Sequence, residues 1–353
     1  MEDVIEGEAV CREALSIARE IGNRSAEAAA LRSLGVVLAN SGSVADAIAA
    51  FEAAIALFRA SGEREAEGLA LGYLGLTWRA EGRFGKARAH LEHALAIYRD
   101  VGNIRLEGVT MGYLASLFGV MGDDDAALAM ADQALAITQE VGNRRARAMV
   151  LADKAVILER SGDLAASERL LREAEAIYAE AEESWFHALT LGRLARLLSN
   201  EARVDEADAL FERTVSIMRE LGDRRVSRDY LARWAMHLRR TGRSPAKTLD
   251  EAESFIGDGS HVRGASIVAS ERGLAAIADG DIEAARVHAS RARSLIAGLD
   301  IPPRDPPASR LGKLEAALQA IDEGRASEVF RGERLVDWPP KLLAFLRGEA
   351  PSS

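Results

Sequence analysis

The sequence predicts an all-α protein, a solenoid of stacked antiparallel helix pairs, and three observations carry that expectation. Glycine falls at positions 42, 82, 122, 162 and 242, a strict period of forty residues in which Ala202 fills the one gap. A second register runs half a period away at Gly22, Gly62, Gly102, Gly142 and Gly222, with Glu182 as its exception. Each turn signal up to Gly222 is followed by about fifteen residues without proline. Two such segments per period form a helix–turn–helix unit. A unit of this size cannot bury its apolar face alone, so neighbours must stack.

Within each unit the first helix shows one apolar face. Leu31, Leu71, Met111, Leu151, Leu191 and Leu231 form its first column. Four residues on stand the small residues Gly35, Gly75, Ala115, Ala155, Ala195 and Ala235. Three further on come Leu38, Trp78, Phe118, Leu158, Leu198 and Leu238. The spacing i, i+4, i+7 is one helix face, and the small central residue lets a paired helix approach. The second helix resumes with Ala47, Phe51 and Ala54 and their equivalents one period on, alternating small and large as facing helices require.

Composition narrows the classes of function. The chain has 353 residues, 48% hydrophobic and 28% charged, with a net charge of −10. That balance argues against a protein built to coat nucleic acid. One cysteine, Cys11, excludes an internal disulfide and a cysteine-based zinc site, and it is expected to pack as a small apolar residue. No apolar run approaches a membrane span, and the acidic start MEDVIEGEAV lacks the basic region of a secretory signal. A cytoplasmic location is expected.

LRSLGVVL (31–38), LGYLGLTW (71–78) and MGYLASLF (111–118) resemble the tetratricopeptide repeat. The resemblance covers roughly residues 5 to 300. This unit has 40 residues where the familiar one has 34, and a Gly-Asn or Gly-Asp turn replaces the proline that usually ends the second helix. Repeats of this longer style are similar to those of signalling scaffolds and of large bacterial transcription factors and ATPases. The resemblance implies a right-handed superhelix whose first helices line the concave side.

Four segments are expected. Residues 1–27 hold a half repeat, with Cys11, Ala14 and Ile17 in the apolar columns of a second helix that has no first. That edge could support self-association. Residues 28–300 hold about seven units, the last two degenerate, with Lys247 in an alanine column and Gly280 displacing the register. Residues 301–308 form a proline-rich linker, since DIPPRDPP (300–307) is incompatible with a helix interior. Residues 309–353 add a helix from about Ser309 to Glu323 and a capping tail with Trp338 and Leu342 to Leu346.

Motifs that could carry chemistry reduce to repeat positions. GRFGKAR (82–88) has the wrong glycine spacing for a phosphate loop and no Ser or Thr after Lys86. His90 and His93 lie three apart on a helix without a recognisable third ligand. Asp123, Asp124 and Asp125 follow Gly122 at a helix start, where carboxylates cap amides. The remaining histidines, His187, His237, His261 and His288, are scattered over different repeats without a serine or cysteine at a motif spacing. No catalytic residue, cofactor or metal is expected.

On the resemblance, groove-facing positions are those offset from the core columns. They include Arg32 and Asn40, then Arg79, then Glu159 and Arg160. Further along come Arg196 and Asn200, then Asp229, Arg239 and Arg240. Six arginines and two asparagines stand against two acids, which makes the surface basic within an acidic chain. Guanidinium forks bind carboxylates in a bidentate way. The third repeat offers Gly112, Ser116 and Gly119, small residues expected to leave room for a bulky group. The expected function is a non-catalytic adaptor or regulator holding an acidic peptide or protein segment in the groove. The alternative is a ligand-sensing region that acts with a separate effector domain.

Overall fold

The computed structural model describes residues 2–256, 262–297 and 306–323. Sixteen α-helices and no strands occur among them. The chain divides into two compact units, Met1–Ala181 and Glu182–Ser353.

Unit 1 holds α1 (Glu2–Glu20), α2 (Arg24–Ser41), α3 (Val44–Ser61), α4 (Arg64–Ala80), α5 (Phe84–Asp100), α6 (Ile104–Met121), α7 (Asp124–Glu140), α8 (Arg144–Ser161) and α9 (Leu164–Glu180). After α1, consecutive helices pair as α2/α3, α4/α5, α6/α7 and α8/α9, and each pair packs on the next. Unit 2 holds α10 (Ser184–Asn200), α11 (Val204–Glu220), α12 (Arg224–Arg240), the short α13 (Ala246–Ser254), α14 (Val262–Ala278), α15 (Ile282–Ile296) and α16 (Pro306–Asp322). There α10/α11, α12/α13 and α14/α15 pair, and α16 packs on α14 and α15.

The glycine registers are the helix ends. At Gly42, with φ +88°, the glycine N–H donates to Ala39 O and the Ser43 N–H to Leu38 O, at 3.3 and 2.9 Å. This left-handed closure satisfies carbonyls that the helix leaves free. Glu182 and Ala202, the two exceptions, adopt φ +54° and +62°, so the register imposes the geometry without its preferred residue. Such a conformation costs a non-glycine residue on the order of 1 kcal/mol. Where the residue after the turn is Asn or Asp, it caps the next helix. Asn23, Asn103, Asn143 and Asp223 each accept a backbone N–H three residues on.

An ionic contact also follows the period. Arg19, Arg59 and Arg99 donate through Nε to Glu27, Glu67 and Glu107, at 2.7, 2.9 and 2.8 Å, across the turns between successive repeats of unit 1. Glu67 is fully buried and takes Arg64 as well.

Three expectations need correction. On α1, Leu15 and Ala18 are buried and Cys11 is half-buried, whereas Ala14 is exposed and Ile17 is 50% exposed. Ala14 is one period before Ala54, which is buried between α3 and its partner helix. Among the described residues α1 has no such partner and buries Leu15 and Ala18 alone, whose counterparts one period on, Ile55 and Phe58, are buried too. Second, α16 starts at Pro306, inside the stretch expected to be non-helical. Proline is tolerated in a first turn, where its missing N–H has no intrahelical acceptor to lose. Third, Gly112 and Gly119 open no space. A Cβ on Gly112 would lie 2.7 Å from Val150 Cγ2, and one on Gly119 3.2 Å from Ile157 Cγ1. The small residues let α8 close directly onto α6. Trp338, Leu342 to Leu346 and His261 lie outside the described residues.

Candidate functional site

The positions expected to face the groove in unit 1 carry polar side chains, most of them against neighbouring helices. Arg32 is half-buried, its guanidinium 6.0 Å from the centre of the Phe58 ring. Asn40 is exposed at the end of α2. Arg79 Nη1 on α4 donates to Ser116 Oγ on α6 at 2.8 Å. Arg160 pairs with Asp124 in the first turn of α7. Two tyrosines that the column pattern did not single out share the first-helix surface. Tyr73 is 41% exposed and stacks on Phe51 at 6.0 Å with an interplanar angle of 8°. Tyr113 is half-buried, and burial, then the neighbouring Tyr73, push its hydroxyl pKa up. Both stand two residues after the leucine column, a period apart, which is the signal that could have found them.

In unit 2 the fold gathers the predicted positions more tightly. Arg196 is half-buried on α10. Asn200 Oδ1 accepts from Arg240 Nη1 at 3.1 Å. Arg239 is not an open groove residue: its side chain is 8% exposed, with Nε 3.6 Å from Glu271 Oε2 on α14. Glu271 is itself 1% exposed and pairs also with Arg310 of α16. Arg310 is pushed down to about 10 by burial and then by the charges of Arg233, Arg239 and Arg240. Sequence alone could not place Glu271 or Arg310 here, because both lie beyond the regular period.

The fold also brings Ser199, His237 and Asp208 together. Ser199 Oγ lies 2.7 Å from His237 Nδ1, and His237 Nε2 lies 3.4 Å from Asp208 Oδ1. Trp234 Nε1 donates to the same carboxylate at 2.8 Å, and Arg243 pairs with it. His237 is 1% exposed, so the cluster ties α10, α11 and α12 together within their packing. Burial holds its imidazole below the ordinary histidine range, ahead of the opposing effect of Asp208. The unfolded chain therefore takes up a proton that the folded one refuses. Stability from this residue is full above about pH 6.5, the usual histidine value, and is lost as pH falls below it. His237→Gln should flatten the decline in denaturant midpoint between pH 7 and 5, and a variant with the wild-type slope would refute the assignment.

Lys86 Nζ lies 4.0 Å over the Trp78 ring, a cation–π contact. His93 is exposed and His90 half-buried, and burial lowers the His90 pKa. Among the described residues no group of three or more His, Cys, Asp or Glu could hold a metal ion. No described helix is long and apolar enough to cross a membrane.

A tetratricopeptide-repeat family profile matches residues 27–100 and 106–180, and a second profile of the same description matches residues 190–225. No curated protein matches the sequence significantly. Solved structures do. The Rap conjugation gene regulator of plasmid pLS20, in complex with the Phr* peptide, aligns with TM-score 0.61 at 15% identity over 85% of this chain and 77% of that one. A Rap protein complexed with competence and sporulation factor gives 0.61 at 14% identity, over 78% and 76%. A STAND signal-transduction ATPase with a tetratricopeptide-repeat sensor, from Pyrococcus horikoshii, gives 0.51 at 14% identity, over 90% of this chain and 46% of that one.

Proposed function

Since the chain belongs to the tetratricopeptide-repeat family, we propose that it is a non-catalytic adaptor or regulator that binds an acidic peptide or protein segment on the exposed face of its first helices. The observation that carries this reading is the recurrence of arginines at these positions of the repeat in each unit. Arg160, exposed, and Arg79, half-buried, stand there in unit 1, and Arg196 and Arg240, both half-buried, in unit 2. Ser116 holds Arg79, Asp124 holds Arg160 and Asn200 holds Arg240. Side chains already ordered lose less rotamer freedom when a carboxylate arrives, so binding costs mainly the ordering of the segment. The Phr* peptide seated on the Rap regulator of similar fold supports a peptide as the kind of partner. Holding the segment would recruit its owner or sequester it. The repeat sensor of the STAND ATPase favours a second reading, in which the bound segment signals to a separate effector.

Selection of random dodecapeptides on the full chain tests the proposal. Enriched peptides should be acidic, and Arg79→Glu/Arg196→Glu/Arg240→Glu should weaken them at least tenfold. Arg239 is left unchanged because reversing it would set a second carboxylate against buried Glu271. Enrichment of neutral peptides, or equal binding to the variant, would reject the acidic segment.

A further inference from the structure

The turns of unit 1 fall into two sets that share a backbone geometry and differ in one residue. Where a first helix hands over to its second, the residue before the glycine is Ser41, Glu81, Met121 or Ser161. Where a second helix hands over to the next repeat, it is Ile21, Ser61, Val101 or Val141. Both sets close in the same way. The Gly102 N–H, at φ +71°, donates to Arg99 O at 3.2 Å and the Asn103 N–H to Tyr98 O at 2.9 Å, as Gly42 and Ser43 do to Ala39 and Leu38. The turn therefore has no need of an apolar side chain at this place. Packing does not bury it either: Ile21, Val101 and Val141 are 68%, 43% and 36% exposed, and Ile104, at the start of α6, is 46% exposed. In the other set Met121 and its neighbour Val120 are exposed, but in a single turn.

Charge is ordered across this apolar row. At its three apolar turns the second helix ends on an exposed acid, Glu20, Asp100 or Glu140. The following first helix opens with an exposed arginine, Arg24, Arg105 or Arg144. The row thus has an acidic flank on the side of the second helices and a basic flank on the side of the first helices. Arg64 lies 4.0 Å from Asp100 and Arg144 pairs with Glu180, so neighbouring turns already share some of these charges along the row.

We propose that the row is a contact surface for a second copy of this chain, related by a two-fold axis that runs along the row. Such an axis lays the acidic flank of each copy against the basic flank of the other and sets Val101 against its own counterpart. An axis across the row would lay acid against acid and arginine against arginine. Self-complementarity of this kind is what an isologous contact requires, and a second copy supplies it at every turn by symmetry. The apolar centre excludes water and the charged flanks fix the register. Association through the row uses none of the arginines assigned to the acidic segment, and it would make the pair bivalent for whatever the first-helix faces hold.

Sedimentation equilibrium of the full chain over a range of concentrations tests the proposal. The wild type should pass from monomer to twice the monomer mass, and added salt should weaken the association because the flanks are exposed. Val101→Ser/Val141→Ser gives both turns the residue that Ser61 already supplies in the same register, and its circular dichroism should match the wild type. It should weaken association by about tenfold or more, since four valines lose their apolar contact. Val120→Ser/Met121→Ser removes exposed apolar surface from the other set and should change nothing. Arg105→Asp should weaken association, and Asp100→Arg/Arg105→Asp, which exchanges the flanks of one turn in both copies, should restore it. In a Cys11→Ser background, Val101→Cys should form a disulfide-linked dimer on mild oxidation and Met121→Cys should not. A wild type that stays monomeric at its highest soluble concentration overturns the proposal. So does a dimer that Val101→Ser/Val141→Ser leaves intact, or equal loss in the Val120/Met121 variant. Failure of the exchange to restore what Arg105→Asp removes overturns the axis along the row.

Discussion

Glu271→Gln is expected to destabilise unit 2 by about 3–5 kcal/mol, the cost of breaking a buried ion pair from one side. The carboxylate is 1% exposed and faces Arg239 and Arg310, themselves 8% and 15% exposed. Removing its charge leaves both guanidiniums buried, beside each other and beside Arg233 and Arg240. Neither can shed its proton cheaply, since arginine stays protonated near neutrality. The pair itself contributes less than its removal costs, because burying three charged groups already carried a desolvation penalty. Glu271→Leu combined with Arg310→Met should therefore recover part of the loss, and adding Arg239→Met should recover more. Hydrogen exchange at the amides of α12, α14 and α16 reads the effect where it arises. A loss under about 1 kcal/mol for Glu271→Gln would mean that water screens the cluster and that its charges act as surface charges.

This cluster marks the boundary of what the sequence discloses. Gly42, Gly82 and their equivalents announce the turns because each needs a left-handed backbone, and that need recurs with the period. Ala202 and Glu182 adopt the same conformation, so the period outweighs residue type even where it fails in letters. The apolar columns are equally legible, since one face of a helix is a spacing rule. The contact Arg59–Glu67 was available on the same terms, with Arg19–Glu27 and Arg99–Glu107 forty residues to either side. What cannot be read is any contact between helices at unrelated positions in the repeat. Ser199 and Asp208 meet His237 because α10, α11 and α12 pack together, and no spacing rule joins them. Gly112 and Gly119 show the converse limit. Small residues announce a close approach, but whether a ligand or a neighbouring helix makes it depends on packing, and here α8 does.

Phe51→Ala is expected to destabilise unit 1 by about 3–5 kcal/mol, and Gly35→Ala by about 1–3 kcal/mol, although both change side chains in a single contact. Phe51 is 1% exposed, and its ring lies where a Cβ on Gly35 would stand, 2.7 Å from Cε1. Removing the ring empties a cavity that the rigid helix pair cannot close. Adding the methyl instead forces α2 and α3 apart, or drives the ring off its rotamer and off Tyr73, on which it stacks. The two changes should not add. A methyl at 35 fills part of the space that Phe51→Leu opens, so Gly35→Ala/Phe51→Leu should be more stable than the sum of its single variants by about 1 kcal/mol. The chain already contains that pairing: Ala155 of α8 stands opposite Leu171 of α9 in the same columns, at 0% and 1% exposure. Urea denaturation of the four proteins in the cycle measures the coupling. Strict additivity would mean that Gly35 is kept for some reason other than the Phe51 ring, and that the columns of small and large residues vary independently along the repeats.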